Sequence, residues 1–220
     1  VRTTEYLTDE FSNEAVQFVM RNKAKPFFLY LSYNAPHTPM QASEKYLSRF
    51  TNITNPQRRT YAAMVSAVDD GVGRLLATLR EQGLEKQTLV FFLSDNGGPE
   101  QANASNNGPL RGGKSDAWEG GLRVPFAAQW PGQLPKGMVY DKPVLSLDIF
   151  ATIAALAGAP TNSARPLDGV NLLPYLTGKN AGSPHEAVYL RKFDQGAFAI
   201  RRGDYKLVIP RTDAAPQLFN

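Results

Sequence analysis

The spacing of apolar residues divides the chain into helical and extended stretches. Phe11, Ala15, Phe18 and Val19 recur at i, i+4, i+7 and i+8, which predicts a helix capped by Thr8 or Asp9 and running to about Asn22. After Pro26 that period is lost. Phe27 to Tyr33 is an apolar and aromatic run ending in Asn34-Ala35-Pro36-His37-Thr38-Pro39, the pattern of a buried strand entering a rigid loop. Asn55-Pro56 supplies a cap and an N1 proline for a long helix, and Tyr61, Met64, Val65, Val68, Val72, Leu75, Leu76 and Leu79 keep one apolar face as far as Gly83. Thr88 to Ser94 is a second near-continuous apolar run. Strands apolar on both faces belong to parallel sheets covered by helices on each side, so strand, helix and strand read as a right-handed crossover unit.

Between Ser94 and Pro143 the pattern changes: nine of the 18 glycines fall there, and only Val124 to Trp130 restores a short strand. A long glycine-rich stretch inside a compact domain is usually functional. Ser146 to Ala157 reads as a helix closed by Gly158, followed by a linker rich in Pro, Gly and Asn to about Pro184. Ala187 to Phe193, Ala197 to Arg202 and Tyr205 to Ile209 then alternate as short strands, with Arg202-Gly203-Asp204 as a tight turn. That is an antiparallel meander. A further strand begins near Gln217. The ends, Val1-Arg2-Thr3-Thr4 without Met and Gln217-Leu218-Phe219-Asn220, read as cuts.

Composition narrows the chemistry. The chain has no cysteine and two histidines, which excludes a disulfide scaffold, a thiolate zinc site, a Cys nucleophile and a His-rich dinuclear zinc centre. No run of about 18 apolar residues exists to span a bilayer, so no membrane partner is expected. The net charge of +4 is local: six Lys and Arg between Arg191 and Arg211 face only Asp194 and Asp204. A nucleic-acid binder needs a distributed basic stripe, so no nucleic-acid partner is expected either.

Candidate chemistry gathers after the strands. Ser94-Asp95-Asn96-Gly97-Gly98 lies at the C-terminal end of an apolar strand, the edge where open α/β sheets bind ligands. Asp95 and Asn96 offer two hard oxygen donors suited to Ca²⁺ or Mg²⁺; the same residues also suit an Asx turn that needs no metal. Lys114, in Gly112-Gly113-Lys114, is a point charge that a flexible glycine backbone could deliver to phosphate or sulfate oxygens, or a solvated loop lysine. Gly108 to Ser115 comes close to a phosphate loop but follows a loop rather than a strand. His37, held between Pro36 and Pro39, is either a general acid or oxyanion donor, or a histidine satisfied within its loop. His185 is assigned no role.

These residues carry a resemblance. Pro26 to Leu31 leading to Pro36-His37-Thr38-Pro39, Tyr61-Ala62-Ala63-Met64-Val65 with Asp69-Asp70-Gly71-Val72-Gly73, and Ser94-Asp95-Asn96-Gly97-Gly98 occur in order. Pro109-Leu110-Arg111-Gly112-Gly113-Lys114, Trp118-Glu119-Gly120-Gly121-Leu122-Arg123-Val124-Pro125 and Gly203-Asp204-Tyr205-Lys206-Leu207 follow. Together they resemble the C-terminal half of a type I, formylglycine-dependent sulfatase of the arylsulfatase family. The resemblance implies an alkaline-phosphatase-like α/β/α sandwich, partial here, with a small C-terminal antiparallel sheet. It implies residues 1–183 as the C-terminal portion of the catalytic α/β domain and residues 184–220 as the start of the antiparallel subdomain.

By the same resemblance, Asp95 and Asn96 would be metal ligands to one Ca²⁺ that polarises a sulfate oxygen. Lys114 would bind the sulfate ester and its bridging oxygen, and His37 would bind substrate and protonate the departing alcohol. The implied reaction is attack of a formylglycine hydrate on sulfur, loss of the alcohol, then elimination of inorganic sulfate. A sulfated small molecule or carbohydrate is the expected partner, with carbohydrate favoured, in a periplasmic, extracellular or lysosome-like compartment.

The departures are as informative. Neither C-x-P-x-R nor S-x-P-x-R, the source of formylglycine, occurs here, and the family's paired N-terminal aspartates have no counterpart, since Asp69-Asp70 lies mid-helix. The 220 residues alone are therefore expected to bind Ca²⁺ weakly and to lack sulfatase activity. The alternatives are a phosphatase or phosphonate monoester hydrolase of the same superfamily, a non-catalytic Ca²⁺ or carbohydrate-binding fragment, and a Rossmann-like domain. Asn96 and the low histidine count favour sulfate over phosphate. The retained His37, Asp95, Asn96 and Lys114 speak against degeneration, and no dinucleotide fingerprint follows a strand.

Overall fold

The computed structural model describes residues 5–162 and 164–220. Val1 to Thr4, read above as a cut end, lie outside the described residues. The chain forms two compact units, Val1–Thr88 with Gly97–Pro109, and Leu89–Asn96 with Leu110–Asn220.

The first unit is built on two helices. α1, Leu7–Asn22, starts after Tyr6 with no side-chain cap. Neither Thr8 nor Asp9 caps it, because both stand in its first turn: Thr8 is buried, and the Asp9 carboxylate accepts from the Tyr46 hydroxyl and Lys45. Tyr46 belongs to the short α2, Glu44–Leu47. α3, Pro56–Glu81, is capped as its sequence predicts, with the Asn55 side chain accepting from the Arg58 amide at 2.8 Å. It closes in a Schellman arrangement: Gly83 takes φ +70°, and the Leu84 amide donates to the Leu79 carbonyl at 2.8 Å.

The buried line of α3 keeps Met64 and Leu79 of the apolar face that its sequence suggests and adds small residues to it. Ala63, Met64, Ala67 and Gly71 are buried, whereas Val65 is exposed. The reason is steric. A Cβ on Gly71 would lie 2.2 Å from Ser12 Oγ and 2.5 Å from the Tyr33 hydroxyl, so the glycine admits α1, while Ala63 and Ala67 make room for Tyr46 of α2. Ser12 Oγ donates to the Thr8 carbonyl at 2.7 Å, which leaves Tyr33 as donor in the 2.8 Å contact with Ser12. Burial raises the Tyr33 pKa, keeping that proton in place. The neighbouring Asp70 receives two parallel bonds from Arg49, at 2.8 and 2.7 Å. Within the Asp69-Asp70-Gly71 motif, Gly71 thus serves packing and Asp70 an ion pair.

The expected buried strand at Phe27 to Tyr33 does not form. The segment is extended, with Phe27, Leu29, Leu31 and Tyr33 half-buried, but Phe28 and Tyr30 are 65% and 78% exposed and no ladder bonds join it to a neighbour among the described residues. An extended run becomes a strand only through such bonds. α4, Glu100–Asn103, completes the unit, tied to α3 by Gln57 and Arg58 donating to the Ala102 and Ala104 carbonyls, each at 2.8 Å.

In the second unit β1, Val90–Leu93, pairs antiparallel with β2, Phe126–Gln129, from Val90↔Gln129 to Leu93↔Phe126. The parallel crossover expected between Phe27 to Tyr33 and β1 is not seen among the described residues, because the earlier run joins no ladder; the glycine-rich segment, which includes the short α5, Glu119–Leu122, instead leads to an antiparallel partner for β1. Phe91 and Phe126 meet edge to face at 5.9 Å, and Phe92 is 47% exposed.

α6, Leu147–Leu156, follows as predicted, and Gly158 beyond it takes φ +63°. Its Asp148 is fully buried and accepts from the Leu145 and Val170 amides at 2.7 and 2.9 Å. His185 Nε2 lies 2.9 Å from both Asp148 oxygens, so this histidine is structural. The expected linker contains α7, Leu173–Leu176, too short for a period to reveal.

The meander forms as expected. β3, Ala187–Lys192, β4, Ala197–Arg202, β5, Tyr205–Ile209, and β6, Gln217–Phe219, pair consecutively and antiparallel. Gly203 takes φ +57° in the β4–β5 turn. Ala197, Ala199 and Val208 are buried on one face together with Ala117, and Leu190 and Trp118 pack against them. No helix among the described residues is long and apolar enough to cross a membrane.

Candidate active site

The Asp95-Asn96 pair sits where β1 ends. The Ser94 amide extends the ladder by donating to the Pro125 carbonyl at 3.2 Å, and Ser94 Oγ donates to the Asn96 carbonyl at 2.9 Å. The serine hydroxyl therefore closes the turn that carries both residues, with Asp95 exposed and Asn96 half-buried. Their donor set is a carboxylate and an amide oxygen, hard ligands that fit Ca²⁺. No group of three or more His, Cys, Asp or Glu suited to a metal occurs among the described residues. Two donors fall short of the roughly six to eight that Ca²⁺ takes.

Lys114 is on a separate loop of the same unit. Gly108 to Ser115 has the full G-x-x-x-x-G-K-S spacing, yet no helix begins at Lys114. The Asp116 amide donates to the Gly113 carbonyl at 3.0 Å, making Gly113-Lys114-Ser115-Asp116 a β-turn. Asp116 Oδ2 accepts from the Gly113 amide at 2.8 Å and closes the turn a second time. Ser115 has φ +75°, a left-handed conformation costing a side chain about 1 kcal/mol and held only by surrounding structure.

That surrounding structure is α5. The Gly120 amide donates to the Arg111 carbonyl at 2.8 Å. A Cβ on Gly120 would lie 2.1 Å from the Gly112 carbonyl oxygen, and one on Gly121 would lie 2.3 Å from that of Gly113. The paired glycines exist so that two backbones can touch. Lys114 consequently stands half-buried on a rigid turn, not on the flexible glycine tether expected from sequence.

α5 is itself fastened to the four-stranded sheet. Trp118 carries the Arg111 guanidinium over its ring at 3.8 Å and meets Phe219 edge to face at 5.6 Å. Glu119 accepts from Lys206 at 2.6 Å and pairs with Arg201 at 3.8 Å. Ser94 and Glu119 stand in the sequence motifs without a role, and Asp116 stands in none. An Asp three residues after a glycine is a legible turn signal; the Glu119 partners, 87 residues away in the case of Lys206, are not.

His37 lies in the first unit, exposed, at a turn closed by its own amide donating to the Asn34 carbonyl at 2.9 Å. Its Nδ1 lies 2.7 Å from the Thr38 carbonyl oxygen. A carbonyl can only accept, so Nδ1 carries a proton. Of the four candidates, then, Asp95 and Asn96 share one turn, Lys114 stands on another loop of that unit, and His37 belongs to the other unit.

The fold is that of part of an alkaline-phosphatase-like α/β/α sandwich, with the small antiparallel sheet at its C-terminal end. A crystal structure of Ps i-CgsB in complex with k-i-k-neocarrahexaose superposes with a TM-score of 0.90 at 42% identity, covering 100% of this chain and 49% of that one. Steryl-sulfatase of Mus musculus is 40% identical over 197 residues, covering 86% of this chain and 31% of its own. The uncharacterized sulfatase YdeN of Escherichia coli is 34% identical over 220 residues, covering 96% and 39%. Residues 1–159 match the Sulfatase family, and the chain belongs to it. It spans about a third of the length of the curated relatives it matches and about half that of the solved structure.

Proposed function

We propose that the protein of which this chain forms a part hydrolyses the sulfate ester of a sulfated carbohydrate to an alcohol and inorganic sulfate. The observation that carries this reading is the doubly closed Gly113–Asp116 turn, which holds a half-buried cation on rigid backbone in a chain of this family. A preorganised charge aimed at a sulfuryl group loses nothing to reorganisation as the ester bond breaks. Carbohydrate is favoured by the likeness to the neocarrahexaose-bound structure.

In this reading Lys114 Nζ donates to the ester and bridging oxygens, and His37 delivers the Nε2 proton to the leaving alcohol oxygen. Asp95 and Asn96 would be two of the ligands to a Ca²⁺, which would supply Lewis-acid polarisation when bound. A formylglycine, expected from the family and without a source motif in these 220 residues, would supply the nucleophile. Residues 1–183 form the C-terminal portion of the catalytic domain and residues 184–220 the start of its antiparallel subdomain. The family favours a periplasmic, extracellular or lysosome-like compartment.

The test is release of inorganic sulfate from a panel of sulfated saccharides by the full-length protein and its Lys114→Ala variant. The expected result is turnover that the substitution lowers about a hundredfold or more in kcat/KM. Turnover of phosphate esters without sulfate release would overturn the reading.

A further inference from the structure

The doubly closed turn of Lys114 leans on α5, and α5 has one charged anchor. Glu119, its first residue, is reached by two cations from the same sheet, Lys206 on β5 and Arg201 on β4, residues that pair directly across the ladder. The Lys206 side chain is only 13% exposed, and its ammonium lies 2.6 Å from the Glu119 carboxylate. Its burial is tolerable only while that carboxylate is present. Immediately after Glu119, Gly120 and Gly121 press on the carbonyls of Gly112 and Gly113, the two residues that precede Lys114. A displacement of α5 therefore reaches the lysine through backbone contact with no soft side chain between.

We propose that Glu119 is a positioning residue for Lys114, locking the lysine turn to the four-stranded sheet through Lys206. The proposal rests on the sulfatase reading above. It gives the basic residues of the meander a role, in which part of the chain's positive charge orients the sulfate-binding lysine without touching substrate. Two segments separated by 87 residues thereby act as one support.

The experiment is a double-mutant cycle in the full-length protein with Glu119→Gln, Lys206→Met and the pair together, beside Lys114→Ala. Each variant is assayed for kcat, KM and the inhibition constant of inorganic sulfate, and its denaturant midpoint is measured. Glu119→Gln keeps the side-chain volume. The expected result is a loss of about tenfold to a hundredfold in kcat/KM with weaker sulfate inhibition for each single variant, and no further loss in the double. Lower midpoints with sulfate inhibition unchanged, or fully additive losses, would overturn the proposal by reducing Glu119 to a general stabiliser. If Lys114→Ala itself leaves sulfate turnover and inhibition intact, the sulfatase reading falls first. If Lys114→Ala is severe while Glu119→Gln is silent, only the positioning role falls.

Discussion

Phe27 to Tyr33 and Tyr205 to Ile209 look alike on paper, yet one is an extended segment with bare aromatic rings and the other a strand with a fully buried valine. The difference is in what lies beside them. β5 follows β4 after a two-residue turn, so its partner arrives within a few residues and Val208 falls opposite Ala199 in the same row. The earlier run has no such neighbour close in sequence. Apolar content makes a segment ready to be a strand; only a partner with matching register makes it one.

The strongest way to break this contrast is Val208→Asp. A carboxylate at a fully buried position facing Ala117, Ala197 and Ala199 has no partner, and a loss of about 3 kcal/mol or more is expected from denaturant unfolding. A smaller loss would mean that the meander is held by its ladder alone.

An intermediate effect concerns charge in the helical unit. The Arg49 hydrogen bonds lower the Asp70 pKa, against a smaller opposing effect of burial. A carboxyl held below its unfolded value of about 3.9 contributes stability above that pH and loses it as pH falls through the folded value. Asp70→Asn should therefore flatten the decline of stability below about pH 4, with a modest amplitude that salt reduces further because the pair is a third exposed. A decline unchanged by the substitution would remove the pair from the account.

The smallest effect is expected for Tyr30→Ser in the 220-residue chain, within about 0.5 kcal/mol by the same unfolding measurement. A clear destabilisation would reveal a partner for Phe27 to Tyr33 and erase the distinction between the two runs.

What can be read in advance follows the same logic. The α3 cap, Gly83, Gly158 and the three hairpin strands are legible because each is fixed by residues within a few positions. The packing of α1 and α2 on α3 is not, because Gly71 against Ser12, and Ala63 and Ala67 against Tyr46, matter for the volume they lack, and hydrophobic periodicity counts only what is present. The same holds at the candidate site: Asp95, Asn96, Lys114 and His37 stand out by local chemistry. The Ser94 hydroxyl, the Asp116 closure and the Glu119 anchor depend on backbone direction or distant chain. Residue type announces a reactive group more readily than it announces what holds that group still.

The Asp148 carboxylate carries a consequence for how the second unit assembles. It is desolvated completely, yet its acceptors are filled only when segments as distant as Val170 and His185 have arrived. Docking of α6 ahead of them would strand a charge in a dry interior. The helix, the Gly169-Val170 stretch and the His185 segment must therefore close as a single cooperative step, opening and shutting together in native-state exchange rather than fraying one by one.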